Sequence, residues 1–167
     1  MSQRIRYIIC QSTLGYILVG LSKSSVCAIF LGDDHDRLVQ DLRIRYPEAT
    51  LTRDGKAAEK VGAMVRSGVE SPGSELPLRL APGGTPFQQR VWQALRDVPA
   101  GSTATYSDIA LRIGAPEAVR AVAHACGANP IAVAIPCHRI IRRNGTQGGY
   151  RWGTGRKREL LRRESLA

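Results

Sequence analysis

The stretch Asn129-Pro130-Ile131-Ala132-Val133-Ala134-Ile135-Pro136-Cys137-His138-Arg139 separates a helical region from the end of the chain. Proline cannot continue a helix, so Asn129-Pro130 ends the helix before it. The apolar run that follows predicts a strand over residues 131–135, which leads to a cysteine beside a histidine. Adjacent side chains of a strand point to opposite faces, so Cys137 and His138 need a bridging water or a turn to interact.

Cys137 has polar neighbours that a buried structural cysteine does not need. The thiolate is the reactive form of cysteine, and a nearby histidine or arginine favours it. His138 and Arg139 follow directly, and Glu164 supplies a carboxylate that could orient the histidine. The pattern predicts that Cys137 is a nucleophile.

The length and composition are those of a folded protein. The chain has 167 residues, of which 43% are hydrophobic, which is enough for one domain or two small ones. Its apolar stretches are too short to span a bilayer, and residues 1–10 lack the apolar segment of a secretory signal. We therefore expect a cytoplasmic protein without membrane contact.

The positive charge is concentrated in the second half of the chain. The net charge is +10. Residues 1–86 carry 11 basic and 9 acidic side chains, whereas residues 87–167 carry 13 basic and 5 acidic ones. This asymmetry favours a polyanion as partner, although a basic surface also serves solubility.

The four cysteines predict neither a disulfide framework nor a metal site. No C-x-x-C pair is present, and disulfides are rare in the cytoplasm. Cys10, Cys27 and His35 could be imagined as three zinc ligands, but their spacing is irregular. Small apolar core residues are the better interpretation of the two cysteines, and we expect no metal.

The first half predicts three strands and two helices, because short β-branched runs precede two segments of helical periodicity. The predicted strands cover residues 4–9, 15–21 and 26–31, and the predicted helices cover residues 34–46 and 56–65. Residues 67–86 are rich in Gly, Pro and Ser. They predict a linker that contains a short strand over residues 76–80, and a domain boundary after residue 84.

The second half predicts helices over residues 85–97, 107–113, 115–128 and 156–163. Thr105 is suited to cap the second of them and Pro116 to begin the third. The second and third are joined by a tight Gly-Ala-Pro turn, which indicates either a helix-turn-helix or an ordinary helical hairpin. The third helix consists largely of small residues, so it can approach another helix or a DNA groove closely, and Arg120 is its one long cation.

The second half of the chain resembles a known family. Pro136-Cys137-His138-Arg139, with Asn129-Pro130 before it and Gly149-Tyr150-Arg151-Trp152-Gly153 after it, is similar to the O6-alkylguanine-DNA alkyltransferases, above all to the C-terminal alkyltransferase part of bacterial Ada. The resemblance is strong from residue 85 to 164 and looser before that. It implies an α+β fold: a ribonuclease-H-like α/β domain over residues 1–84, then a mainly α-helical, winged-helix-like domain over residues 85–167 with a helix-turn-helix.

The resemblance also implies a function. Members of the family transfer the alkyl group from O6 of guanine, and less efficiently from O4 of thymine, to their own cysteine. The reaction repairs the flipped-out base of double-stranded DNA, bound through its minor groove, and each molecule acts once. It needs no cofactor and no metal, and a monomer is expected.

Five residues match catalytic positions of the family. They are Cys137 as the acceptor, His138 as its base through a water, Glu164 as the carboxylate that orients the histidine, Asn129 as the hinge before the active-site segment, and Tyr106, which turns the nucleotide and bonds guanine N3.

Further residues match binding positions. The expected DNA contacts are Arg120, which fills the space left by the extruded nucleotide, with Tyr106, Ala121, Ala125 and Arg139. The expected substrate contacts are Tyr150, Arg151, Ile140, Cys126 and Lys157.

Two other functions were considered. The alkyltransferase-like proteins recognise the same lesions without repairing them, but in them the acceptor cysteine is replaced, whereas Cys137 is present here. A transcription regulator would use the helix-turn-helix, yet regulation by Ada depends on N-terminal segments that these 167 residues do not contain. A stand-alone protein and the C-terminal part of a larger one both stay open.

Overall fold

A computed structural model describes residues 3–72 and 76–165. Within these residues the chain forms an α+β fold with six strands and six α-helices. The strands are β1 (Arg4–Ser12), β2 (Gly15–Ser22), β3 (Ser25–Gly32), β4 (Thr50–Arg53), β5 (Ala104–Thr105) and β6 (Ile140–Ile141). The helices are α1 (His35–Arg45), α2 (Gly55–Glu70), α3 (Pro86–Arg96), α4 (Tyr106–Arg112), α5 (Val119–Gly127) and α6 (Thr154–Ser165).

The first half is built on a mixed four-stranded sheet in the order β3-β2-β1-β4. β1, β2 and β3 form the antiparallel meander that the alternating pattern predicts, each somewhat longer than expected. β4 pairs parallel to β1, with Leu51 opposite Ile5. The sequence did not predict β4, because Thr-Leu-Thr-Arg has one apolar side chain and its pairing depends on a distant strand.

α2 runs five residues beyond the predicted end at residue 65. Ser67 and Gly68 are weak helix formers, but Val65 and Val69 are fully buried one turn apart and hold the last turn against the core. The side chain of Glu70 then accepts hydrogen bonds from the backbone amide and the hydroxyl of Thr13. Tertiary contacts therefore override the local preference for a linker here.

The rest of the predicted linker pairs with the sheet. Val26 of β3 donates to the carbonyl of Arg79 at 2.8 Å, and the amide of Ala81 donates to the carbonyl of Val26 at 2.8 Å. Leu80 is thus bridged to Val26, while the predicted strand over residues 76–80 is otherwise irregular. Residues 73–75 of this segment lie outside the described residues. The domain boundary after residue 84 stays a prediction.

The helices α3 and α4 begin at sequence-encoded caps. Thr85 forms a capping box with Gln88 at the start of α3, and Thr105 forms one with Asp108 at the start of α4. Each box satisfies backbone amides that have no partner inside the helix. α5 starts at Val119 rather than at residue 115, so Pro116 lies in the turn and not in the first helical position.

The predicted strand over residues 131–135 is wrong. Ile131 makes a single bridge to Ile29 of β3, and the chain then turns. Val133 has φ +69°, a conformation that β-branched residues rarely adopt. After the turn, Cys137–Arg139 form a short 3-10 helix. Apolar composition alone does not separate a strand from a buried turn, and here prolines at both ends limit strand pairing.

β6 follows the 3-10 helix and pairs parallel to β5. α6 follows and is two residues longer at each end than predicted. Its Leu160 is fully buried. Within the described residues, no helix is both long and apolar enough to cross a membrane.

Candidate active site

Asn129 shapes the turn that presents Cys137. Its side chain is fully buried. Its Oδ1 accepts from the amide of Ile131 at 2.9 Å, and its Nδ2 donates to the carbonyl of Ile135 at 2.9 Å and to the Cys137 Sγ at 3.3 Å. One amide therefore closes the turn from both sides and also hydrogen-bonds the thiol.

Cys137 and His138 lie in a 3-10 helix and not in a strand, so their side chains are not forced to opposite faces. Both side chains are buried, at 6% exposed for Cys137 and 0% for His138. His138 Nε2 lies 2.7 Å from Glu164 Oε1. The other ring nitrogen, Nδ1, is buried without a partner among the described residues.

Glu164 is held by two side chains. Arg139 donates to both carboxylate oxygens, from Nε to Oε2 at 3.0 Å and from its terminal nitrogen to Oε1 at 2.9 Å. Burial opposes the charge of Glu164, but the hydrogen bonds from His138 and Arg139 outweigh it and lower the pKa of the carboxyl to about 2. Glu164 is therefore ionised at neutral pH.

This arrangement fixes the tautomer of His138. An ionised carboxylate only accepts hydrogen bonds, so Nε2 carries the hydrogen and Nδ1 keeps its lone pair. Burial lowers the pKa of His138, although Glu164 acts in the opposite direction. The imidazole is neutral at rest and can take up a proton at Nδ1.

Cys137 is a thiol at rest. Burial raises its pKa to about 11, while the hydrogen bond from Asn129 and the positive charge of Lys157 act in the opposite direction. A thiolate at this position would therefore have to be generated by a base inside the site.

A pocket of about 240 Å³ lies over Cys137. Four residues predicted from the sequence line it: Tyr106, Cys126, Tyr150 and Arg151. Cys137 itself and Gly149, which belongs to the motif quoted above, also line it, together with Ala123 and Gly127, which the sequence analysis missed. The small size of Ala123 and Gly127 could have indicated them, since a glycine or alanine leaves room for a ligand.

Tyr150 forms a wall of this pocket. Its ring packs edge-on against the rings of His138, at 6.4 Å between centroids, and Trp152, at 5.3 Å. Its hydroxyl is buried without a hydrogen-bond partner among the described residues. Burial raises the pKa of this hydroxyl well above its ordinary value, so it stays protonated and free to donate.

Lys157 supports the pocket from beneath. Its ammonium group is fully buried and donates to the carbonyls of Ile140, Gln147 and Gly149. Ile140 was predicted to contact substrate, but its side chain is fully buried in β6 and is absent from the pocket lining. It contributes through its carbonyl, which anchors Lys157.

The predicted DNA contacts separate into two groups. Arg120 and Ala121 are exposed at the start of α5. Ala125 is only 2% exposed, but it lines the same surface groove as Arg120 and Ala121. Arg139 turns inward, because its guanidinium binds Glu164 and the carbonyl of Val98. We therefore revise Arg139 from a DNA contact to a residue that positions Glu164.

The structure does not assemble the three ligands considered for zinc. Within the described residues, no group of three or more His, Cys, Asp or Glu side chains could hold a metal ion. The Cys27 thiol lies 3.6 Å from the Gly20 carbonyl, and the His35 ring packs edge-on against Tyr16. All four cysteines are free thiols.

Fold and site together define a protein that presents a buried cysteine to a small pocket, beside a histidine that a carboxylate holds. Residues 86–166 match the family model "6-O-methylguanine DNA methyltransferase, DNA binding domain". The chain is also 38% identical to the inducible methylated-DNA–protein-cysteine methyltransferase of Bacillus subtilis over 142 residues, or 83% of this chain and 79% of that protein. The chain belongs to the methylated-DNA–protein-cysteine methyltransferase family.

Two further similarities extend over almost the whole chain. The bifunctional transcriptional activator and DNA repair enzyme Ada of Escherichia coli is 45% identical over 161 residues, which are 96% of this chain and 46% of Ada. The chain thus spans about half the length of that relative. The crystal structure of Mycobacterium tuberculosis OGT in complex with DNA superimposes with a TM-score of 0.81 at 34% identity, covering 98% of this chain and 93% of that one.

Proposed function

We propose that this protein repairs O6-alkylguanine in double-stranded DNA by moving the alkyl group to Cys137. The observation that carries the proposal is the buried Nδ1 of His138, which has no partner among the described residues and belongs to the residue after Cys137 in the same 3-10 helix, while Glu164 fixes the opposite nitrogen. A structural cysteine has no use for a base in this state. The catalytic roles of Cys137, His138, Glu164 and Asn129 are part of the proposal.

The reaction is a displacement at the alkyl carbon. The Cys137 thiol gives its proton to His138 Nδ1 through a water, and the sulfur attacks the carbon attached to O6. The bond from that carbon to O6 breaks, and its electrons remain on guanine. The guanine then takes up a proton, which balances the one that the thiol gave to His138. Asn129 stabilises the negative sulfur through its Nδ2. The thioether product is not hydrolysed, so each molecule acts once and no cofactor takes part.

The pocket accepts one base rather than a duplex, so the lesion must leave the helix. Flipping a base costs a few kcal/mol and is cheapest for a damaged pair. A helix of small residues fits the minor groove, and a side chain that enters the stack compensates for the lost base. The exposed Arg120 and Ala121 on α5 suit these roles. Tyr106 at the pocket rim suits the neighbouring phosphate and guanine N3.

The finer description of the fold belongs to the same proposal. We assign a ribonuclease-H-like arrangement to residues 1–84 and a winged-helix-like domain with a helix-turn-helix, α4 and α5, to residues 85–167. The mixed sheet with two helices, and the pair α4 and α5 joined by a short turn, support these assignments. Weaker transfer from O4-alkylthymine, a monomeric state and a cytoplasmic location are predictions from the sequence.

Intact-protein mass after mixing with a duplex that contains one O6-methylguanine tests the function. We expect each molecule to gain one methyl group in place of a hydrogen, mapped by peptide fragmentation to Cys137, and Cys137→Ala to gain nothing. Cys126→Ala is the matched control, because that residue lines the same pocket but lacks the hydrogen bond that Asn129 donates to the Cys137 thiol. It should still take up one methyl group.

Two results would contradict the proposal. Tight binding of the lesion duplex without a mass gain would make the protein a damage sensor of the alkyltransferase-like kind. A methyl group on Cys126 in the wild-type protein would show that the histidine does not select the acceptor.

A further inference from the structure

Arg151 brings a permanent positive charge to the pocket over Cys137. The other residues that line this pocket have uncharged side chains. The guanidinium lies close to the nucleophile, because its Nη1 donates to the Asn129 carbonyl at 3.2 Å and the Asn129 side chain donates to the Cys137 Sγ at 3.3 Å. A single residue, Asn129, therefore connects the charge of Arg151 to the sulfur.

Two aromatic rings hold the guanidinium in place. Its central carbon lies 5.2 Å from the centroid of the Phe30 ring and 5.4 Å from that of the Trp152 ring. A cation is attracted to the face of an aromatic ring at such distances. Phe30 belongs to β3, and both rings are buried, so they are themselves fixed. A charge that is already held loses little conformational entropy when it binds a ligand.

The protein does not neutralise the charge of Arg151. Within residues 3–72 and 76–165, no carboxylate lies within ion-pair distance of its guanidinium. In this part of the chain Nη1 is the one guanidinium nitrogen with a hydrogen-bond partner, and the residue is exposed, so its other N–H groups can serve a ligand. Lys157 differs, because its buried ammonium already donates to three backbone carbonyls.

A free cation at this place favours an anionic alkyl group on the substrate. The sulfur of Cys137 becomes negative before it attacks, so a carboxylate on the alkyl group is repelled from it. A guanidinium within reach offsets this repulsion, because it binds a carboxylate through charge-assisted hydrogen bonds. A methyl group gains nothing from the same contact.

We propose that Arg151 lets this protein repair O6-alkylguanines whose alkyl group ends in a carboxylate, of which O6-carboxymethylguanine is the smallest. This inference rests on the proposed function, since it names a substrate class of the same site. The Cys137 sulfur attacks the CH2 carbon, the bond from that carbon to O6 breaks with its electrons on guanine, and guanine takes up a proton to balance the one that the thiol gave to His138. The products are S-carboxymethylcysteine and unmodified guanine.

A matched pair of substrates tests the contact. Second-order rates of transfer are measured with duplexes that carry O6-carboxymethylguanine or its neutral isostere, O6-carbamoylmethylguanine, and the ratio of the two rates is compared between variants. The two alkyl groups have nearly the same size and differ in charge, so a general loss of activity cancels from the ratio. Arg151→Gln should lower the ratio about tenfold, which corresponds to one charge-assisted hydrogen bond. Arg151→Lys should restore part of it, because the charge returns.

Arg143→Gln is the matched control. Arg143 is an exposed arginine of the same half of the chain and is absent from the lining of this pocket. Its ratio should stay within about twofold of that of the wild-type protein. An equal ratio for the wild-type protein and Arg151→Gln would overturn the proposal. A fall of both rates together, at an unchanged ratio, would mean that Arg151 only positions Asn129.

The failure of this proposal is distinguishable from that of the proposed function. Transfer from O6-methylguanine tests the function and involves no carboxylate. A wild-type protein that takes up the methyl group but leaves O6-carboxymethylguanine unrepaired would keep the proposed function and overturn the role of Arg151. A protein that takes up neither group would overturn the function, and this inference with it.

Discussion

Asn129 is the residue whose replacement should disturb both the turn before Cys137 and the thiol itself. Asn129→Asp keeps an oxygen for the Ile131 amide but places a second oxygen against the Ile135 carbonyl and the Cys137 sulfur. The negative charge of the new carboxylate disfavours a thiolate beside it. Its oxygen cannot donate a hydrogen bond, so the buried Ile135 carbonyl is left without a partner. We expect methyl transfer at least about a hundredfold slower, from the loss of one charge-assisted contact and added repulsion, as measured by single-turnover kinetics.

Asn144→Asp is the control for this change. Asn144 is exposed, and only its oxygen is used, accepting from the amide and hydroxyl of Thr146. An aspartate keeps both bonds, so the transfer rate should stay within about twofold. Equal rates for wild type and Asn129→Asp would show that the amide hydrogen on the sulfur has no part in the reaction.

At the scale of elements, α6 connects the first half of the chain to the active site. Arg156 donates to the Leu14 carbonyl at 2.7 Å and to Asp33 at 2.6 Å, both in the first half. The next residue, Lys157, holds the pocket loop, and Glu164 lies two turns further along the same helix. The sheet therefore sets the position of the helix that carries both buried charged groups.

Arg156→Gln should weaken this connection. The Leu14 carbonyl and Asp33 lose their partner, so the free energy of unfolding should fall by about 1–3 kcal/mol in urea titrations. The transfer rate should fall as well, because α6, which carries Lys157 and Glu164, is then less firmly positioned. Arg158→Gln removes the same charge from an exposed position of the same helix and should alter the free energy of unfolding by less than about 0.5 kcal/mol. If the two variants have the same free energy of unfolding, Arg156 does not hold α6 in place.

At the scale of the whole molecule, buried ionisable groups limit the pH range of stability. The folded-state pKa of Glu164, about 2, lies below its ordinary 4.5, so the unfolded chain binds the proton first and stability falls between pH 4.5 and 2. Burial also lowers the pKa of His138, so the unfolded chain binds this proton first as well, and stability falls as the pH drops below 6.5. Burial raises the pKa of Cys137 and Cys27 from 9.0 to about 11, so their contribution is lost as the pH rises through that interval.

We therefore expect the free energy of unfolding to be greatest between about pH 6.5 and 9, where none of these groups changes charge on unfolding. Urea titrations from pH 4 to 10 would show it. Cys27→Ala should flatten the alkaline side, because one of the buried thiols is gone. A free energy of unfolding that rises steadily from pH 7 to pH 10 would contradict this account.

The sequence by itself determined the features that depend on neighbouring residues. The capping boxes at Thr85 and Thr105 and the meander of the first three strands follow from local hydrogen bonding and alternation. The capping and alternation signals are short-range, so the sequence alone displays them. The pairing of His138 with Glu164 joins residues 26 positions apart, and it was expected from their residue types and from the family resemblance.

Only the tertiary structure decided the features that depend on distant partners. β4 exists because β1 lies beside it, and residues 131–135 turn because the Asn129 side chain replaces the backbone partners of a strand. Arg139 turned inward because Glu164 lies on α6. Such contacts join residues far apart in the chain, and no local pattern encodes which groups will meet.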